Sequence, residues 1–157
     1  MTITERLKDR PVFQGMPVPY MVLVGKGGVP DFKVTDIERW HECVERKLCA
    51  ICGTALDYWV WYIGGDKCAD NGLYFDLAMH EECAFFSVST CPFLAKDKDY
   101  ATHIKAPPAG YTLAVHHDVV RAEKMFASKR RRDQSKVTRV NGQLCVKTGP
   151  EVERIEI

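Results

Sequence analysis

Cys49-Ala50-Ile51-Cys52-Gly53 sets two thiols three residues apart in a turn, and His80-Glu81-Glu82-Cys83 sets an imidazole and a third thiol at the same spacing. Thiolate and imidazole are the donors zinc prefers, and a glycine after the second cysteine lets backbone amides approach the sulfurs. Positions i and i+3 of a helix share a face, so His80 and Cys83 converge if a helix begins there. Four protein ligands close a tetrahedron with no position left for water, which describes a structural zinc rather than a catalytic one. The competing interpretation is a set of reduced core cysteines, because free cysteine is among the most buried residue types.

The chain carries 7 cysteines in 157 residues. An odd count argues against a complete disulfide framework. Arg6, Lys8, Asp9 and Arg10 leave no apolar signal core in the first ten residues, so the expectation is a cytoplasmic protein with reduced thiols. The longest apolar run, Tyr58 to Ile63, is far short of the roughly 20 residues a bilayer requires, and no membrane partner is expected. Cys91 lies about 12 Å beyond Cys83 along a helix. Cys68 falls in a hairpin tip roughly 15 Å from the knuckle. Neither completes the zinc site, and Cys43 and Cys145 read as core or surface thiols.

Several elements must position these donors. Tyr20 to Val24 and Phe32 to Val34, separated by Gly25, Gly27, Gly28 and Pro30, read as a small hairpin. Thr35 and Glu38 have capping-box spacing, and Ile37, Trp40, Val44 and Leu48 form the apolar stripe of a helix over about Asp36 to Lys47. Asp57 to Ile63 and Leu73 to Leu77 read as a hairpin with a long tip, and His80 to Thr90 as a helix closed by Pro92. Knuckle, hairpin and helix, in that order, predict a treble-clef-like zinc core within an α+β fold. Tyr111 to Val115 reads as a strand, and Val119 to Ala127 as either helix or strand. Asn141-Gly142 between Val137–Val140 and Leu144–Lys147 is the strongest hairpin signal. The expected organisation is a zinc core over 1–95, a loop over 96–110 and a β-rich part over 111–157.

Net charge is +1, yet Arg121 to Arg139 carries +6 and the other 138 residues −5. Arg121, Lys124, Lys129, Arg130, Arg131, Arg132, Lys136 and Arg139 are dense enough to contact phosphates of DNA or RNA; a solvated loop explains them about as well. Other chemistry is less well supported by the residues. Gly25-Lys26-Gly27-Gly28 follows a strand but lacks the Gly-Lys-Ser/Thr end of a phosphate loop. A nuclease of the His-Asn-His type needs a histidine base ahead of His80, and none lies between Cys52 and His80. His116 and His117 point to opposite faces of a strand. Trp59, Trp61 and Ile63 share one face of a strand and Tyr58 and Tyr62 the other, which suits burial on both faces, or else stacking on single-stranded bases.

Gly15-Met16-Pro17-Val18-Pro19-Tyr20, Pro30-Asp31-Phe32, the Cys-x-x-Cys-Gly knuckle, Gly65 to Ala69, His80 to Ala84 and Cys91-Pro92-Phe93-Leu94 resemble a family of small uncharacterised proteins from bacteriophages and bacteria. The resemblance covers roughly residues 10 to 95; beyond it, Asn141-Gly142 through Gly149-Pro150-Glu151-Val152 is similar to the family's C-terminal strand region. The arginine-rich stretch has no counterpart in the pattern. The resemblance implies a phage or mobile-element origin and a zinc scaffold, and no activity. The expectation is a non-enzymatic zinc module that binds a host protein or nucleoprotein complex, with nucleic-acid binding through the basic stretch as the alternative and a His-Asn-His-type nuclease as a less favoured third. Oligomeric state is not encoded in any of these features.

Overall fold

The computed structural model describes residues 4–90 and 124–157. The fold is mixed α+β, with every strand pairing antiparallel. Strands β1 (Val12–Phe13) and β2 (Met16–Pro17) make a miniature hairpin, followed by the expected hairpin of β3 (Val22–Val24) and β4 (Pro30–Thr35). Helix α1 (Ile37–Arg46) is capped by Asp36 rather than Thr35: its Oδ1 accepts from the amides of Glu38 at 3.1 Å and Arg39 at 3.3 Å. With the helix starting at Ile37, Asp36 holds the N-cap position, from which its carboxylate reaches the free amides of the first turn. Trp40, Cys43 and, beyond the helix end, Leu48 are buried, whereas Ile37 is exposed because the first turn projects past the core.

Past the knuckle the chain forms β5 (Trp59–Gly65), α2 (Asp66–Asn71), β6 (Leu73–Tyr74) and α3 (Glu81–Thr90). The hairpin expected between 57–63 and 73–77 does not form. β5 instead pairs with β7 (Met125–Arg131), which also pairs with β10 (Glu153–Glu156). β6 is only two residues long and adds to the hairpin of β8 (Lys136–Val140) and β9 (Gln143–Lys147). The physical reason is length: seven residues of β7 satisfy the whole edge of β5, while the segment after Gly64 coils into α2 and leaves β6 pointing elsewhere. The Asn141-Gly142 turn is as expected, with both residues at positive φ (51° and 79°) and Val140 opposite Gln143.

Val60, Trp61, Tyr62 and Ile63 are buried on both faces of β5, as a doubly covered strand requires, while Tyr58 and Trp59 at its start are exposed. Trp40 anchors α1 by donating its indole N–H to the Phe75 carbonyl at 2.9 Å. Among the described residues no helix is long and apolar enough to cross a membrane. The 96–110 loop, the 111–115 strand, Pro92, Cys91, Arg121, His116 and His117 lie outside the described residues, as does the first part of the ambiguous 119–127 segment; from Met125 that segment is strand.

Candidate metal centre

The chain between Leu48 and Ala55 is a tight reversal. Leu48 and Ala55 bridge, the Cys49 amide donates to the Thr54 carbonyl at 2.8 Å, and the Gly53 amide donates to the Cys49 carbonyl at 2.9 Å. Gly53 has φ +76°, a conformation that glycine adopts freely. This turn aims both Cys49 and Cys52 inward. The other half of the site is held to it by backbone hydrogen bonds. The Ala50 amide donates to the Ala78 carbonyl at 3.1 Å, and Met79 and Trp61 exchange two bonds of 2.9 Å, so His80 emerges from a backbone locked to both the knuckle and β5. Cys83 follows in the first turn of α3.

The four donor atoms of Cys49, Cys52, His80 and Cys83 lie within 4.8 Å of one another, and all four residues are buried. A tetrahedron with 2.3 Å zinc–sulfur bonds has sulfur–sulfur edges of about 3.8 Å. The donors thus need only a contraction of about an ångström at the widest pair. His80 faces the cluster with Nδ1, which lies 3.4 Å from Cys52 Sγ and 4.0 Å from Cys83 Sγ. Its Nε2–H donates to the Ala55 carbonyl at 2.9 Å. That outer bond selects the tautomer with a lone pair on Nδ1, the arrangement in which histidine ligates a metal. The Thr54 hydroxyl lies 3.0 Å from Cys52 Sγ.

The protonation chemistry of the cluster suits a cation. Hydrogen bonds from Cys49 and Cys83 hold the Cys52 thiol far below its ordinary range despite burial, and those to Cys49 and Cys52 push Cys83 far up. Burial opposes a charged imidazole, but hydrogen bonds to Cys49 and Cys52, the charge at Cys49 and the Ala55 carbonyl together raise His80 to about 10. Thiols and an imidazole packed this closely compete for protons, which a bound metal ion would displace. Cys43 behaves differently: burial pushes its thiol up to about 12, and it stays outside the cluster with Cys145 and Cys68.

The basic stretch is not gathered into one surface. Alternation along β7 sends Lys129 and Arg131 to one face and Arg130 to the other. Arg130 is 3% exposed and donates to the carbonyls of Gly149 and Ala69, each at 2.7 Å, with Glu151 at 3.7 Å. It serves the fold and is withdrawn from solvent. Lys124 pairs with Glu156, Lys129 with Glu153 and Arg131 with Asp133. Arg132 donates to the Leu56 carbonyl and Arg139 to the Gly142 carbonyl, whereas Lys136 lies on the exposed strand β8.

Spacing along the chain does not reveal the surroundings of the knuckle. The Tyr20 and Met21 amides donate to the Ile51 and Ala50 carbonyls, and the guanidinium groups of Arg10 and Arg39 lie 5.4 and 4.7 Å from the centre of the Tyr20 ring. Arg6 pairs with both Asp57 and Glu82. These contacts span tens of residues and carry no local pattern. Comparisons with family models, with curated proteins and with solved structures find no match to this chain.

Proposed function

We propose that Cys49, Cys52, His80 and Cys83 hold one structural zinc, and that the chain is a zinc-built binding module rather than an enzyme. The observation that carries this reading is the convergence of four buried donors, with His80 presenting Nδ1 because Ala55 holds its other nitrogen. Three sulfurs and one nitrogen match zinc's preferences, and a closed set of four protein ligands gives stability in place of a reactive water. A treble-clef-like arrangement is supported by the chain order: knuckle, then β5, then a return at Met79 that bridges to Trp61, then α3. α2 and β6 are an insertion between the outgoing and returning backbone.

In line with the resemblance noted above, the module is of phage or mobile-element origin and engages a host protein or nucleoprotein complex. Metal analysis of the purified protein should give one zinc per chain, lost in C49S and C83S. One equivalent retained in both variants sinks the assignment. A pull-down from host lysate with and without nuclease treatment then separates a protein partner, which survives the treatment, from a nucleic-acid one, which does not.

A second reading, binding of single-stranded nucleic acid, is favoured by one observation. Tyr58 and Trp59 are exposed beside Arg131 and Lys129, whose charged groups lie 5.2 and 5.7 Å from the respective ring centres. Such pairs form stacking platforms. Asp133 and Glu153 neutralise the same cations, which makes this the weaker reading. Steeply salt-dependent binding of an oligonucleotide, reduced in W59A, would raise it above the first.

A further inference from the structure

We infer that Arg6 is a positioning residue of the metal centre, an outer brace that holds the two donor pairs together and slows loss of the metal. This rests on the zinc reading above. The two pairs come from segments far apart in the chain. On their inner side they are joined by the Ala50–Ala78 and Trp61–Met79 backbone bonds. On their outer side one side chain spans them: Arg6 Nη2 lies 3.3 Å from Asp57 Oδ2, and Arg6 Nε donates to Glu82 Oε1. Asp57 follows the knuckle within a few residues of Cys52, and Glu82 sits between His80 and Cys83. Pulling the pairs apart therefore breaks the Arg6 bridge.

Arg6 is presented by a rigid base. The short helical turn Glu5–Leu7 buries Leu7 at 1% exposure in the same core as Cys49, Cys52 and Cys83, and its backbone closes through Leu7 to Thr4 and Arg10 to Leu7 hydrogen bonds of 2.9 and 3.1 Å. The electrostatics favour the bound state. Three thiolates around a divalent cation leave a net charge of −1 on the closed site. The Glu82 hydrogen bond raises the Arg6 pKa against the opposing effect of burial, and the charges of Glu82 and Asp57 add to that rise. A guanidinium held between Asp57 and Glu82 brings positive charge to the edge of this site, and its planar fork fixes the directions of both carboxylates, which a lysine's freely rotating ammonium does not. The bridge is partly solvated, with Arg6 32% exposed, so its strength must depend on salt.

The test is zinc transfer from the fully loaded protein to a chelating dye in excess. R6Q should release zinc roughly tenfold faster than wild type, the lower end of the effect of outer partners on metal sites. R6K, which keeps the charge and loses the fork, should fall between them. Added salt should accelerate release from wild type but not from R6Q, a response that a purely packing role for Arg6 would not produce. D57N and E82Q each remove one arm and should each give part of the acceleration; they carry the test if R6Q does not fold. Release from R6Q, or from D57N and E82Q together, at the wild-type rate in low salt would overturn the inference while leaving the zinc assignment intact. A wild-type protein that takes up no zinc would overturn both.

Discussion

The ring of Tyr20 lies so close over Gly53 that a β-carbon added to the glycine would sit 2.6 Å from Tyr20 Cδ2. The last residue of the knuckle is therefore glycine for two reasons, its positive φ and the aromatic ring that covers it. Gly53→Ala should destabilise the protein by about 2–4 kcal/mol, combining a left-handed backbone penalty with overpacking. Chemical denaturation of the zinc-loaded protein measures this. An unchanged midpoint would mean that Tyr20 does not press on the knuckle.

His80 contributes one nitrogen to an otherwise sulfur site. His80→Ala should remove tight metal binding, while His80→Cys should retain it with a fourth sulfur. Cobalt substitution reads both: the sulfur-to-cobalt charge-transfer band should strengthen in H80C relative to wild type and weaken or vanish in H80A. Equal spectra for all three proteins would place the nitrogen ligand elsewhere.

Arg130 and Arg131 are neighbours with opposite roles. Arg130 is buried and donates to two carbonyls that belong to separate segments, Ala69 in α2 and Gly149 after β9. Arg130→Ala should cost about 2–4 kcal/mol because these two carbonyls lose their donor, while Glu151 keeps Ser128 and Arg154. Arg131 is partly exposed and meets only Asp133 and the exposed Tyr58 ring at the surface, so Arg131→Ala should shift the thermal midpoint little. Comparable losses in the two variants would contradict the alternation along β7.

Cys43 supplies a pH dependence. Burial raises its thiol to about 12, so the folded protein keeps the proton that the unfolded chain gives up near the ordinary thiol range. The unfolded state then binds fewer protons, and stability falls as pH rises. The contribution is complete below the unfolded value, about 8.5 to 9, and is gone above about 12. Unfolding midpoints measured from pH 8 to 11 should decline less steeply in Cys43→Ala than in wild type; parallel slopes would show that Cys43 ionises equally easily in both states.

The donor set was legible because metal chemistry restricts both residue type and spacing: Cys49, Cys52, His80 and Cys83 stand out from the remaining cysteines on those grounds alone. The Asn141-Gly142 hairpin and α1 were legible for a similar reason, since turn and helix signals are local. The partner of β5 was not. Leu73 to Leu77 has the composition of a strand, but pairing is decided by which edge offers the longer ladder, and the β7 partners lie 60 to 72 residues away in sequence. The arrangement of the basic stretch was equally hidden. Charge density says nothing of alternation, and only the register of β7 shows that Arg130 turns inward while Lys129 and Arg131 turn out. Arg6 had no signal at all, because an arginine near the start of a chain acquires a role only when folding brings Asp57 and Glu82 to it.

X-ray absorption at the zinc edge of the purified protein tests the central claim most directly. The account predicts a four-coordinate shell of three sulfurs at about 2.3 Å and one nitrogen at about 2.0–2.1 Å, with one zinc per chain. A shell containing water oxygen, a shell of four sulfurs, or protein free of bound zinc that also declines to take it up would contradict the account.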